Sequence, residues 1–326
     1  MSTVLVTGAS GFVGSYVVPA LLAEGHCVVA LVRSEKNGEQ VLRRLGAPDR
    51  GSVEIRHGDV TLPETLPSAL RGVDAVVHLV AIPRDYNGGA DLRFVNTEGT
   101  RNVVEAARSA DVRRFVHMGA MGVQDDPKLH YASSKAKAEA LVAASGLDYT
   151  ILKPSLQFAE RDGFFNIVAG LVRMAPVVPV PGDGKSRFQP IAAQDVARCV
   201  ALSLARPETI GQSIEIGGPR YWTYREITAE VARAMGKRRL IVPMPVALIR
   251  LVAGTSERIR IIKFPVATDQ LRQLKLDNIG PLDGVQSAFG FTPTDMEGQL
   301  WYLRRKPADQ DVRAGAPAGE VASPAS

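Results

Sequence analysis

Thr7-Gly8-Ala9-Ser10-Gly11-Phe12-Val13-Gly14 decides the fold of this 326-residue chain. It stands between a short β-branched run at 4–6 and an apolar-periodic stretch at 13–23. Glycines at a strand-to-helix turn let the backbone come close to a pyrophosphate, and the helix N-terminus turns N–H groups and positive dipole towards it. A glycine triplet alone is a weak sign. Its place between a strand and a helix, at the head of an alternating pattern, makes it a specific one.

Outward from the turn, further strands are predicted at 27–32, 53–57, 75–80, 114–118 and 149–153, with helices at 66–70, 93–110 and 134–145. That alternation predicts an α/β protein with a doubly wound parallel sheet, the Rossmann arrangement, and a smaller C-terminal α/β lobe. Beyond Pro154 it breaks down, and 176–181 (PVVPVP) reads as an irregular loop. Segments 191–205 and 213–216 read as pieces returning to the sheet. Two capping boxes, Thr223 with Glu226 and Thr294 with Glu297, predict helix starts. The expected organisation is a nucleotide-binding domain over 1–159, with returning segments at 188–217, and a substrate or partner lobe over 160–187 and 218–303. Residues 304–326, rich in Ala, Pro, Gly and charge, read as a disordered tail.

With 39 basic and 34 acidic residues, the net charge of +5 suits an anionic ligand or an acidic partner surface. No stripe of Lys and Arg interleaves with aromatics, so nucleic acid is not an expected partner. Lys237-Arg238-Arg239 follows a helix-ending Gly236 and complements that helix's dipole. Cys27 and Cys199 lie in apolar runs without metal spacing and read as free thiols; no His spacing suggests a metal either. The apolar stretch 240–254, interrupted by two prolines and Arg250, is too short to span a bilayer. A buried helix is expected there, with docking on a membrane or partner as the alternative. The N-terminus runs directly into a strand without a signal-peptide layout, which predicts a cytoplasmic protein.

The end of the second strand bears on the cofactor. An acidic side chain there takes the ribose 2′-OH of NAD, whereas an arginine accommodates a 2′-phosphate. This chain has Arg33-Ser34 with Lys36 close by, and Glu35 as a competing signal. NADP(H) is therefore expected, with NAD(H) as the alternative.

Several separated motifs agree in order and spacing: the glycine turn, Gly58-Asp59-Val60, Val95-Asn96-Thr97-Glu98-Gly99-Thr100, Tyr131-Ala132-Ser133-Ser134-Lys135 and Lys153-Pro154-Ser155. Together they resemble the extended and atypical short-chain dehydrogenase/reductases. The runs GDGKSRFQPIAAQDVA and ETIGQSIEIGGPRYWTYREI resemble, more narrowly, bacterial relatives of the nucleotide-binding accessory subunit of respiratory complex I. The resemblance implies that Gly8, Ser10, Gly11, Phe12, Val13 and Gly14 hold the pyrophosphate. It implies that Asp59 and Val60 meet the adenine and that Leu79, Val80 and Ala81 line the cofactor, with Asn96 and Met118 nearby. Pro154 and Ser155 would sit beside the nicotinamide. A respiratory-complex or membrane-peripheral partner at the inner face of the membrane is implied too.

Tyr131 and Lys135 stand at i and i+4, on one face of a helix. In the superfamily such a tyrosine exchanges a proton with a substrate carbonyl oxygen. The ammonium lowers its pKa from about 10 and binds the nicotinamide ribose. These enzymes also offer a Ser or Thr hydroxyl at the end of the fifth strand, but here the chain reads His117-Met118-Gly119-Ala120-Met121-Gly122-Val123. Gln124 and Tyr86 are the candidate substitutes, His78 and His117 read as structural, and Phe164, Phe165 and Asn166 are candidate lining residues. Losing one hydrogen bond to a polarised oxygen costs on the order of hundredfold in rate. Three readings stay open: an NADP(H)-holding binding or assembly protein, an NADPH-dependent oxidoreductase acting on a carbonyl, and an NADP(H)-sensing regulator.

Overall fold

The computed structural model of the chain describes residues 1–45, 51–85, 87–245 and 277–305. Its centre is a seven-stranded sheet of β1 (Thr3–Thr7), β2 (Cys27–Val32), β3 (Val53–His57), β4 (Ala75–His78), β5 (Arg114–Met118), β6 (Asp148–Pro154) and β11 (Gln212–Ile216). The order is β11-β6-β5-β4-β1-β2-β3, with all pairs parallel. The winding direction reverses between β1 and β4, so the loops leaving those two strands part and open a crevice at the C-terminal edge. The doubly wound Rossmann sheet expected from the sequence is thus present.

Each central strand buries both faces. Val4, Val6, Val28, Ala30, Val77 and Val116 pack on one side with α1 (Gly14–Ala23) and α8 (Ala193–Ala205). Leu5, Val29, Val76, Phe115 and Ile151 pack on the other with α3 (Leu66–Ala69) and α5 (Gly99–Ser109). Between β2 and β3 runs α2 (Glu35–Arg43), which the sequence pattern did not reveal. Val41 and Leu42 are its only hydrophobic residues, and Gly38 interrupts it where the Ile55 side chain approaches to 2.9 Å of a would-be Cβ. The 93–110 helix is also more complex than expected: a π-helical stretch, Arg93–Glu98, precedes α5.

A second buried cluster joins Phe158, Phe165, Val168 and Val172 to Trp222, Ile227, Met296 and Leu300. Here the structure overturns three expectations. PVVPVP is not a loop: Val177–Pro181 forms β8, paired in parallel with β13 (Leu240–Met244). Pro179 and Pro181 fall on alternate residues, so the missing N–H groups share one edge, while Val178 and Val180 are buried. The stretch from 240 therefore begins as a strand rather than a buried helix; its continuation from 246 lies outside the described residues. Thr223 and Glu226 form a reciprocal capping box that opens α9 (Tyr224–Ala234). Thr294 and Glu297 do not, because their N–H groups donate to Asp195 Oδ2 at 2.7 Å and Asp295 Oδ1 at 2.9 Å. The predicted disordered tail falls almost wholly outside the described residues, as does Tyr86. Among the described residues no helix is long and apolar enough to cross a membrane.

A buried polar string ties β1, β4 and α5 together. Thr7 Oγ1 and His78 Nδ1 are 2.7 Å apart, His78 Nε2 and Thr100 Oγ1 are 3.0 Å apart, and the Thr100 hydroxyl donates to Asn96 O at 2.6 Å. With Thr100's proton spent on Asn96, His78 must donate from Nε2, which fixes its neutral tautomer. Burial, then the Lys135 charge, holds its pKa down at about 3. His117 stacks on it with ring centroids 5.4 Å apart, yet both His117 ring nitrogens lack a partner. Its pKa too lies well below the ordinary histidine value, through burial first. Unfolded histidine takes up a proton near pH 6.5 and these two do not, so stability is lost as pH falls through that range. His117→Leu, close in volume and without unpaired nitrogens, should raise unfolding free energy at neutral pH by about 1–2 kcal/mol. It should also flatten the loss between roughly pH 6.5 and 4; denaturant melts across pH read both effects.

Candidate nucleotide-binding site

The glycine turn lies at the crevice. Gly8 takes φ +73°, and a Cβ there would press on the Leu79 and Val80 backbone at 3.2 Å. Gly11 N–H donates to Gly8 O at 2.9 Å, closing the turn. A Cβ on Gly14 would stand 2.3 Å from Gly8 O and 2.6 Å from Ala9 O, so α1 starts closer to β1 than any side chain permits. On Gly11 a Cβ would meet only Gly8 O, at 3.0 Å, and nothing else within 4 Å. Gly14 therefore serves packing, while Gly11 keeps open space beside the turn. No side chain caps the N-terminus of α1 and no acid lies in its first turn, so these N–H groups suit an anion. Ser10, Phe12 and Val13 are half-buried around it.

Two cations at this turn escaped sequence reasoning. Arg44 Nη1 donates to Ser10 O at 2.8 Å, and Arg161 Nη2 donates to Ser15 Oγ at 3.0 Å. Burial, then the Arg161 charge, lowers Arg44 to about 10. Neither residue belongs to a local motif, since the contacts span 34 and 146 positions of chain. Arg33 itself is exposed directly after β2.

The remaining predicted contacts are spread along the same sheet edge. Asp59 accepts from the Thr61 N–H at 2.9 Å and hydroxyl at 2.8 Å, and Val60 is buried. Leu79 and Val80 are half-buried, and Ala81 is exposed. Asn96 clamps the loop after β4 to α6 (His130–Ala143): its Oδ1 accepts from Ile82 N–H at 2.8 Å and its Nδ2 donates to Ser134 Oγ at 3.0 Å. Ser155 donates to Asn278 Oδ1 at 2.6 Å and accepts from Gln189 N–H at 3.1 Å. The polar groups of Asn96 and Ser155 are thus already engaged within the protein. Phe165 is core, and Asn166 bonds Asp162 at the start of a helix, Phe164–Met174, rather than marking a pocket.

Tyr131 and Lys135 lie on α6, with Glu139 one further turn along. Lys135 is buried, and its Nζ donates to Met118 O at 2.5 Å. Burial lowers it to about 8. Tyr131 is raised to about 12 by burial first and the Glu139 carboxylate second, opposite to the lowering that the superfamily pattern implies. Glu139 is the residue missed here: Oε1 accepts from Ala120 N–H at 3.0 Å, and Oε2 pairs with Lys153 Nζ at 3.3 Å. A Cβ on Gly119 would stand 2.5 Å from that Oε1. An acceptor-only carboxylate therefore backs the strand end that lacks the hydroxyl. A serine at Gly119 would require the Glu139 side chain to move.

The model of a family described as NAD(P)H-binding matches residues 8–207. The chain belongs to that family. Its relatives include the photosystem II assembly factor Ycf39 of Guillardia theta, 27% identical over 93% of both chains. They include the 40 kDa subunit of mitochondrial NADH-ubiquinone oxidoreductase of Neurospora crassa, 27% identical over 77% of this chain and 65% of the subunit. The divinyl chlorophyllide a 8-vinyl-reductase of Zea mays is 30% identical over 77% of this chain and 64% of its own. The fold matches dTDP-glucose 4,6-dehydratase of Streptomyces venezuelae at a TM-score of 0.71, with 23% identity over 92% of this chain and 95% of that one. The short-chain dehydrogenase/reductase resemblance therefore holds, with a nicotinamide dinucleotide as cofactor.

The glycine geometry separates two substitutions. Gly14→Ala should destabilise the fold by about 3 kcal/mol, since backbone carbonyls must move. Gly11→Ala should keep its melting temperature nearly unchanged while losing most nucleotide affinity; calorimetric melting and titration of each variant check this.

Proposed function

We propose that this protein holds NADP(H) as a standing ligand in a binding or assembly role beside a membrane redox complex, with little or no turnover. The observation that carries this reading is the strand end at Gly119-Ala120, where the Glu139 carboxylate accepts from Ala120 N–H and no hydroxyl is offered. A carboxylate repels the negative charge that develops on a reduced carbonyl oxygen, so the site disfavours that chemistry and leaves binding intact. Two relatives carry names of the same kind, an assembly factor and a respiratory-complex subunit.

In this reading the turn from Gly8 through Gly14 receives the pyrophosphate, and Arg33 the 2′-phosphate. Asp59 and Val60 meet the adenine, Leu79, Val80 and Ala81 flank the dinucleotide, and Met118, Pro154 and Ser155 border the nicotinamide. Tyr131 and Lys135 face the nicotinamide ribose. A bound NADPH would supply a hydride; this chain's groups would orient it and exclude water. The protein works in the cytoplasm, peripheral to the inner face of the membrane. An oxidoreductase is the second reading, favoured by the presence of both Tyr131 and Lys135 and by the vinyl-reductase relative.

Titration calorimetry should find NADPH bound far more tightly than NADH, and Arg33→Ala should remove about 1.5–3 kcal/mol of that preference. Equal affinities in the parent protein would reverse the cofactor assignment. Turnover separates the two roles. NADPH oxidation with generic aldehydes, ketones or quinones should be negligible, and Tyr131→Phe should leave NADPH affinity nearly unchanged. Robust oxidation that Tyr131→Phe abolishes would replace the binding role by an ordinary reductase.

A further inference from the structure

One end of the second lobe carries an apolar ridge that the core does not absorb. Met174 is 77% exposed, Leu240 63%, Trp301 51% and Val177 42%. These residues converge from three segments. Leu240 pairs with Val177 at the start of β13 and β8, and Leu240 N–H donates to Pro176 O at 3.0 Å. Arg173, next to Met174, donates to Leu303 O at 2.7 Å and Arg305 O at 2.9 Å, which fastens the 3₁₀ turn Leu300–Arg304 beside it. Arg304 donates to Ala234 O at 2.7 Å, at the end of α9 just before Lys237.

The charge on these three segments has one sign. Arg173, Lys237, Arg238, Arg239, Arg304 and Arg305 all lie on the three segments, whereas 170–182, 234–245 and 300–305 contain no Asp or Glu. Among the described residues none of these six cations is ion-paired with a carboxylate. The first acid after β8, Asp183, follows the end of that strand opposite to Val177. Elsewhere on the same lobe Arg220 is matched with Asp295 and Glu297, and Arg233 with Glu230.

We infer that this face docks on an anionic lipid bilayer. The apolar ridge, with Trp301 among its members, enters the headgroup boundary while the surrounding cations meet lipid phosphates. A free phosphate would engage the cations but give the exposed Met174 and Leu240 nothing, whereas a bilayer surface offers phosphates and an apolar interior together. The inference deepens the membrane-peripheral part of the proposed role, and its readout is independent of nucleotide titration.

Flotation of the full chain with vesicles tests it, comparing phosphatidylcholine alone with phosphatidylcholine plus phosphatidylglycerol. Binding is expected only to the anionic vesicles and should weaken with added salt. Lys237→Gln with Arg238→Gln should weaken it about 25-fold, at about 5-fold per charge. Met174→Ser should weaken it as well. Both variants change exposed or half-exposed side chains, so melting temperature and nucleotide affinity should hold, which separates loss of docking from loss of fold. Failure of the parent chain to float with anionic vesicles, or unchanged binding by both variants, would overturn the inference whether or not NADP(H) binds.

Discussion

Helix α1 meets the end of β1 at a distance that only glycine allows, with the Gly14 Cα facing the carbonyls of Gly8 and Ala9. Everything at the crevice depends on that contact. It aims the first-turn N–H groups at the space beside Gly11, and it sets Gly8 against the Leu79–Val80 backbone across the switch point. The Thr7–His78–Thr100–Asn96 string then fastens β1 to β4 and to the helix behind them. A neutral histidine suits that position, because a charge there would have no counterion in a dry core.

The chemistry at the other end of the crevice follows from burial. Lys135 and Tyr131 sit where charge is costly, and both shift towards their neutral forms. Glu139 adds negative charge beneath them and is held in place by Lys153 and the Ala120 N–H. A site so arranged keeps a protonated tyrosine and offers no hydroxyl beside it. In the proposed role the nucleotide is held at the glycine turn, so that end of the crevice would serve without the other. Asn278, from the C-terminal part of the chain, reaches that far end, where it accepts from the Ser155 hydroxyl and donates to Met121 O at 2.6 Å.

Local pattern made much of this legible. Strands with buried β-branched residues and a glycine turn between strand and helix announce themselves within a few residues, because their cause is local: backbone conformation and side-chain period. The helix Glu35–Arg43 is hidden by its low apolar content, and PVVPVP resembles a loop because proline usually marks one, although alternate prolines leave one strand edge intact. The Thr294 box failed because Asp195, 99 positions away, captured its N–H.

The sequence by itself determined the nucleotide-binding architecture, the glycine turn between the first strand and helix, the absence of a hydroxyl at Gly119-Ala120 and the placing of Tyr131 and Lys135 one helical turn apart. Only the tertiary structure decided what surrounds them. Arg44 and Arg161 reach the turn from distant segments, Glu139 fills the space behind Gly119, and a basic face with exposed Met174 and Leu240 assembles from three stretches of chain. The reason is physical. Backbone conformation is set by neighbours along the chain, whereas burial, pKa and surface charge depend on which remote segments the packing of the core brings together.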